Sequence, residues 1–364
     1  MITQNSSEPI WALGLMSGTS LDGIDLALLK TNGKEVTEIG GSRTERYETS
    51  LREKLRDLLG CEDPHAQVVK ELTIAHAQAV RRFLDNQKLI SKTISVIGFH
   101  GHTILHQPQI RKTLQIGDGQ LLANLTGINV VNNFRAIDVA NGGQGAPITP
   151  IFHQAMGLRV GKPFAILNIG GVANVTWVGS RTQALLAFDT GPGGGQLDEW
   201  TQRAIGEPFD DKGLLARAGD IDSYVLSGLL KNPYFEKSPP KSLDRNDFSI
   251  EPVLALNAAD GAATLLEFSC ATIAMAERHF PSPVECWLVT GGGRKNEYMV
   301  ERIEELVKKP VMLVDELGWD GDAVEAQAFA YLAVRTMNGL PITFPNITGV
   351  DRPRVGGEIY RPAI

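Results

Sequence analysis

Residues 14–30 read "GLMSGTSLDGIDLALLK". The run entering this stretch, "IWALGLM", and the one that closes it, "IDLALL", both have the composition of buried strands. The join, Ser17 to Gly23, is longer and more polar than a tight hairpin needs. Gly18 and Gly23 permit positive φ and close backbone approach. Ser17, Thr19 and Ser20 add hydroxyl donors. A loop of backbone N–H groups and hydroxyls between strands can cradle an anion. An ordinary surface loop is the plainer reading of the stretch taken alone.

Outward from it, residues 10–47 read as three strands, with an Asn-Gly hairpin signal in "TNGK", 31–34. Residues 50–60 and 65–88 have helical spacing, with Val68, Leu72, Ala75, Ala79 and Phe83 on one face. "ISVIGFHG" reads as a strand ending in a polar turn. "TLQIGDGQLLANLTG" is strand, turn and helix, stopped at Gly127. "INVVNNF" is another strand, and strands alternating with helices indicate an α/β fold. "FRAIDVANGGQGAPITP" reads as a crossing or a substrate loop. "FAILNIGGVANVTWVG", 164–179, then repeats the design of residues 10–30 about 150 positions later: strand, glycine-bearing polar loop, strand. Two halves that open alike suggest a duplicated fold with a cleft. Beyond lie "ALLAFDTGPGGGQLDEW" (strand, loop, helix), a helix over 211–231, a surface loop over 231–248 and a helix over 257–279. "VECWLVTGGGRKNEYMVERIEELVKK" is strand, glycine turn and helix, and "AVEAQAFAYLAVRTM" is a buried late helix.

The chain has 364 residues, enough for two domains with their own cores, and a formal charge of −7. Like charges form no long runs, which disfavours nucleic acid and anionic membranes as partners. Cys61, Cys270 and Cys286 suggest neither a disulfide framework nor a zinc set. No apolar run approaches the ~20 residues that span a bilayer, and the first residues lack the pattern of a signal peptide. A soluble cytoplasmic protein is the expectation.

Four glycine-centred turns follow strands: at Gly18, Gly170-Gly171, Gly191 to Gly195, and Gly291 to Gly293. Ligands of open α/β sheets gather at such strand ends, so four turns point to a nucleotide or other phosphate ligand. Neither a Walker A loop nor a dinucleotide fingerprint is present. Asp189 in "FDTGPGG" sits at an apolar strand's end beside a stiff loop, where a carboxylate suits general-base work. The plainer alternative is a loop-capping Asp that accepts from the amides of Gly191 to Gly195. His100 and His102 in "FHGHT" have a spacing that can bind zinc, but the rest of a ligand set is missing. A substrate-facing turn that includes Thr103 is the favoured reading, with a structural hydrogen-bonding role as the plainer alternative. Arg135 and Asp138 precede the glycine-rich "NGGQGAP"; Arg suits bidentate anion binding, and an internal Arg–Asp pair is the alternative. Lys241 and Arg245 read as solvated loop cations.

In order, "GLMSGTSLDGIDLAL", "GFHGHT", "LQIGDGQLLA", "VVNNFRAIDVANGGQGAP", "LNIGGVANVT", "FDTGPGG", "LVTGGGRKN", "EAQAFAYLA" and "FPNITG" resemble the anhydro-N-acetylmuramic acid kinases. The resemblance implies a two-lobed, actin-like ATPase fold of the sugar-kinase kind, with a central cleft and duplicated ribonuclease-H-like lobes. It implies a first lobe over 1–133, rejoined by 344–364, and a second over 134–343. It implies ATP-dependent phosphorylation of 1,6-anhydro-N-acetylmuramic acid with hydrolytic ring opening, in peptidoglycan recycling. Asp189 would be the base that activates water. ATP would meet Gly18, Thr19, Ser20, Leu21, Asp22, Gly23, Ile24 and Asp25, then Asn168, Gly170 and Gly171, with Gly291, Gly292 and Gly293 on the adenosine side. The sugar would meet His100, His102, Thr103, Arg135, Asp138, Gly193 and Glu325, with Gly142 to Gly145 nearby. Mg2+ would contact Asp22 or Asp25, and the protein would be a homodimer. Two positions stand out. Gly194 replaces the Asn common in the family, and Met16 stands where many members of the wider superfamily carry Asp. A related kinase for another amino sugar, or an actin-type ATP switch without transfer chemistry, remain the alternatives.

Overall fold

A computed structural model describes residues 8–18, 21, 23–157, 160–161, 163–179, 185–243 and 247–363. β1 (Ile10–Ser17) pairs antiparallel with β2 (Gly23–Thr31), from Ile10↔Thr31 to Met16↔Asp25, and β2 pairs with β3 (Val36–Arg46). β1 is apolar throughout because both its faces are covered. Leu13 and Leu15 pack with Val80 and Phe83 of α2 (Ala66–Asn86), behind α1 (Thr49–Asp57) in sequence. On the other face, Gly14 lets the backbone of a late helix lie against the strand. A Cβ at Gly14 would stand 1.6 Å from Ala326 O, and one at Gly98 would stand 2.0 Å from Phe329 O. β4 (Val96–Gln107) and β6 (Asn129–Asn132) extend the sheet in parallel, β5 (Lys112–Ile116) pairs with β4, and α3 (Gly119–Thr126) is closed by Gly127 in the left-handed region.

The chain divides into two compact units, 1–156 with 323–364, and 157–322. The division expected at 133 therefore falls after 156, and the returning segment begins at 323 rather than 344. α4 (Ala136–Ala140) and α5 (Pro150–Gly157) follow the first unit because their side chains bond and pack there. Asp138 meets Thr348, and Phe152 lies 5.6 Å, ring centre to ring centre, from Tyr331.

The second unit repeats the first. β7 (Phe164–Ile169), β8 (Val172–Val178) and β9 (Leu185–Pro192) form an antiparallel meander, and β10 (Cys286–Thr290) and β11 (Val311–Leu313) add in parallel. The order β11-β10-β7-β8-β9 matches β6-β4-β1-β2-β3 of the first sheet. Third, second, first, fourth, fifth, with only the second strand reversed, is the ribonuclease-H-like order. The duplication expected from the two hairpins is thus present in topology. α9 (Ala258–Met275) and α10 (Glu297–Val307) supply buried apolar residues to this unit's core around Trp287 and Phe188. α11 (Val324–Met337), α12 (Pro345–Thr348) and β12 (Glu358–Tyr360, antiparallel to β6) belong to the first unit. Among the described residues no helix is long and apolar enough to cross a membrane.

Three expectations change. β4 does not end at "FHG" but runs on to Gln107, with Gly101 at φ +75° absorbing a register shift against β1. The helix over 211–231 is broken. After α6 (Gly195–Ile205), only α7 (Leu214–Arg217) and α8 (Ser223–Leu229) are α-helical. Asp222 caps α8 through Tyr224 N and Val225 N at 3.0 and 2.9 Å, so a new helix starts there. The surface loop over 231–248 carries buried side chains: Tyr234 is 6% exposed, Phe235 2% and Lys241 8%.

Candidate active site

In the second unit, strand register lines up Thr290, Asn168, Asn174 and Asp189 across β10, β7, β8 and β9. Residues directly opposite in register share a face of the sheet. The result is a polar row in which sequence reading singled out neither Thr290 nor Asn174. Alternation in "VANVTWV" placed Asn174 on a face, but only pairing places it beside Asp189. The register of β8 and β9 shifts at Ala173/Asn174, the kind of irregularity that re-aims side chains beside active sites.

Asp189 lies within β9, three residues before its end at Pro192. It is tied on three sides. Its N–H donates to Lys241 O at 3.1 Å, its Oδ2 accepts from Leu243 N at 2.8 Å, and its carbonyl accepts from the Tyr234 hydroxyl at 2.6 Å. Burial, with the Asp189 carboxylate second, raises the Tyr234 pKa, so this hydroxyl stays a donor. The glycine amides behave differently from the capping alternative. Gly193 N and Gly195 N donate to Gly171 O at 3.0 and 3.2 Å, and Gly194 N donates to Gly170 O at 2.8 Å. The "GPGGG" loop is thereby bound to the β7–β8 turn. A Cβ at Gly193 would stand 2.2 Å from Gly170 O, whereas at Gly194 it would meet nothing closer than 3.8 Å. An Asn at 194 therefore has room. Gly194 is the N-cap of α6 and offers no side-chain cap, so Gly there leaves that helix end without an Asn acceptor.

Gly291 follows β10 at φ +82°, where a Cβ would lie 2.3 Å from Asn168 Oδ1, while Gly292 has open space around it. This turn is held by Arg294, which sequence reading missed. Its buried guanidinium donates to Asp315 Oδ2 at 2.8 Å, Asp322 Oδ1 at 2.7 Å and Gly291 O at 3.1 Å. The Arg294 hydrogen bond holds the Asp322 carboxyl down at about 2.

In the first unit, Thr19, Ser20 and Asp22 lie outside the described residues, as does Arg245 in the second. Leu21 and Ile24 bury their side chains in the core, so only their backbones face outward chemistry. Leu21 N donates to Gly18 O at 3.1 Å. Gly23 has a structural reason as well, since a Cβ there would stand 2.3 Å from Glu45 O. Asp25 pairs in register with Met16 and Thr44 and accepts from Thr44 Oγ1 at 2.6 Å.

His100 and His102 part company. His102 is fully buried, with Nδ1 at 3.0 Å from Ser17 Oγ, which also accepts from the Tyr47 hydroxyl at 2.6 Å. Burial takes the His102 pKa down to about 4. His102 thus braces the end of β1 from inside and does not form a solvent-side turn; Thr103, next along β4, pairs with Gln115 of β5. His100 packs on Phe329 at 4.6 Å and hydrogen-bonds Arg135 Nη2 through Nε2 at 3.2 Å. Its Nδ1 lies 3.0 Å from Gly101 O, which fixes the neutral tautomer, and burial with Arg135 keeps its pKa well below the usual value. Arg135 and Asp138 grip Gly145 from two sides. Arg135 Nη1 donates to Gly145 O, and Gly145 N donates to Asp138 Oδ2, both at 2.7 Å. Thr348, from "FPNITG", donates to Asp138 Oδ1 at 2.7 Å. His100, Arg135, Asp138 and the glycine loop are therefore one construction. Glu325 is exposed in the first turn of α11.

Two sheets of this order, each opening on a hairpin with a glycine-bearing polar turn, define the actin-like ATPase and sugar-kinase class of α/β proteins. The family model described as anhydro-N-acetylmuramic acid kinase matches residues 10–362, and the chain belongs to that family. It is similar to the anhydro-N-acetylmuramic acid kinase of Paramagnetospirillum magneticum, 50% identical over 354 residues, covering 96% of this chain and 99% of that one. To the Rhodospirillum rubrum enzyme of the same name it is 47% identical over 368 residues, covering 100% and 97%. Solved structures that resemble it include component A of the Acidaminococcus fermentans (R)-2-hydroxyglutaryl-CoA dehydratase (TM-score 0.48, 13% identity, 90% of this chain and 98% of that one). Another is a Streptomyces griseus ROK family glucokinase in complex with glucose and AMPPNP (TM-score 0.42, 13% identity, 89% and 99%).

Proposed function

We propose that this protein uses ATP to convert 1,6-anhydro-N-acetylmuramic acid to N-acetylmuramic acid 6-phosphate in peptidoglycan recycling. The observation that carries the reading is the tethered carboxylate of Asp189 in a chain of this family. One oxygen, Oδ2, is occupied by Leu243 N and the backbone is fixed at both ends, so the base is held in one orientation. Asp189 takes a proton from water as that water's oxygen bonds the anomeric carbon. The bond from the anomeric carbon to the 6-oxygen breaks, and the freed oxygen attacks the γ-phosphorus while ADP leaves. Gly18 to Asp25 and the Gly170-Gly171 turn offer backbone donors to the phosphates, with Asn168 beside them, and Gly291 to Gly293 face the adenosine. His100, Arg135, Asp138, Gly193 and Glu325 serve the sugar, Arg135 and Asp138 by shaping the loop at Gly145.

Mg2+ takes one or two carboxylates and otherwise phosphate oxygens and water. Among the described residues no three candidate metal ligands converge, and Asp25 is the described carboxylate at this loop. That donor set fits an ion carried mainly by ATP, held by Asp25 and neutralising charge on the phosphates. The reading also carries a cytoplasmic location and a homodimeric assembly, the latter checked by light scattering on the purified protein.

ADP release measured across a panel of anhydro and ordinary amino sugars tests the function. Turnover should depend on 1,6-anhydro-N-acetylmuramic acid. Turnover without any sugar would instead mark an ATP switch, and turnover with a different sugar a related kinase. In ¹⁸O-water the label should enter the anomeric hydroxyl and not the transferred phosphate.

A further inference from the structure

Asn is depleted in strands, yet Asn174 sits inside β8 between Ala173 and Val175, both fully buried. It is half-buried itself, and among the described residues its carboxamide makes no hydrogen bond. Its place is set by one extra residue in β9. Ala173 pairs with Gly191 but Asn174 pairs with Asp189, so Thr190 is passed over. Thr190 Oγ1 donates to Ala173 O at 3.2 Å and fastens this bulge. In an unbroken register Asn174 would oppose Thr190, and Asp189 would oppose Val175. Val175 faces the core together with Ala173, Trp177 and Phe188. The bulge therefore brings Asp189 onto the face of the sheet away from that core, with Asn174 as its direct neighbour. A polar side chain that costs strand propensity, makes no structural bond and is aligned with the base by a bulge has a chemical use.

We propose that Asn174 is a second catalytic residue, which orients the water that Asp189 deprotonates; this rests on the function proposed above. The attacking water carries two protons. One goes to Asp189 as the oxygen bonds the anomeric carbon. The other stays on that oxygen and becomes the proton of the anomeric hydroxyl. It needs a hydrogen-bond acceptor and not a base. A carboxamide oxygen accepts a hydrogen bond and does not titrate. Directly opposed strand residues hold their Cβ atoms about 5 Å apart. A water about 2.8 Å from each of two oxygens spans about that gap. With one proton on Asp189 and the other on Asn174 Oδ1, a lone pair of the water is left to face the anomeric carbon.

The test compares the unmodified full chain with Asn174→Leu, which keeps the shape of Asn without its polar atoms, and with Asn174→Ala, which keeps the test open if the first does not fold. Sugar-dependent kcat should fall about 10²-fold, the cost of a misplaced reactant, while affinity for a non-hydrolysable ATP analogue, by calorimetry, holds. A second readout is the choice of nucleophile in dilute methanol, read by mass spectrometry of the phosphorylated products. Methanol gives its one O–H proton to Asp189 and carries a methyl group where water has its second proton. That methyl group is disfavoured against Asn174 Oδ1 and accepted beside Leu or Ala. The share of methyl glycoside should therefore rise severalfold in both variants, which a merely structural role would not produce. A fall in kcat of less than about tenfold in a folded variant, or a larger fall with the product ratio unchanged, overturns the proposal. Loss of analogue binding together with kcat also overturns it and places Asn174 in the nucleotide site. Absence of sugar-dependent turnover in the unmodified protein refutes the proposed function itself, and this role with it.

Discussion

Asp189→Asn separates the chemical role of this carboxylate from its structural one. The amide has nearly the same shape, and its oxygen can still accept from Leu243 N, now as a neutral acceptor. The bonds from Asp189 N to Lys241 O and from the Tyr234 hydroxyl to Asp189 O involve only backbone of residue 189 and survive. The structural cost is the difference between a charged and a neutral hydrogen bond, about 1 kcal/mol. That lowers the midpoint of thermal unfolding by about 2–4 °C. Against a typical stability of about 5–15 kcal/mol, the folded fraction remains near one. Loss of a positioned general base removes about 10²–10⁴ in rate, or about 3–5 kcal/mol. The chemical effect therefore exceeds the structural one severalfold, and the two are read by different assays. Sugar-dependent ADP release should fall by that factor while ATP affinity, by calorimetry, holds. Near-normal turnover would refute the role of base. Lost turnover accompanied by a fall of more than about 10 °C would return Asp189 to a structural part.

Gly14→Ala should prevent α11 from seating on β1, because the added Cβ would overlap Ala326 O; we expect a loss above 3 kcal/mol in guanidinium unfolding. Arg294→Met takes one partner from Asp315 and one from Asp322, which keeps Lys295 at 2.9 Å, and frees the Gly291 turn, so ATP binding should weaken in calorimetry while circular dichroism holds. Because the folded Asp322 pKa lies below its unfolded value, its pairing adds stability above about pH 4 that is lost as pH falls toward 2. Thermal melts should show this acid loss shallower in Arg294→Met. His76 is fully buried, and burial lowers its pKa from 6.5 to about 4. The unfolded chain takes up the proton first, so stability is full above about pH 6.5 and falls by about 3 kcal/mol on the way to pH 4. In His76→Leu that part of the pH dependence should vanish from urea midpoints measured between pH 7 and 4.

The sequence alone determined the local elements. Asn32-Gly33 set the β2–β3 turn, with Gly33 at φ +79°, and Gly127 stopped α3. The apolar runs around residues 14 and 167 gave the two opening hairpins, and the ordered motifs gave the family. These signals are short-range: each depends on a few neighbouring residues and on the period of the backbone. Long-range pairing decided the rest. That Asn174 stands beside Asp189 follows from strand register, not from the spacing of 15 positions between them. That Arg135 and Asp138 share Gly145, instead of serving only each other, depends on a loop closed by Thr348, 210 residues away from Asp138. His102 reads like a substrate residue, yet a single glycine bulge turns it inward to Ser17. Lys241 reads like a solvated cation and Arg294 gives no signal in the sequence, yet packing buried both. Burial is a property of what covers a residue, and what covers it comes from distant parts of the chain.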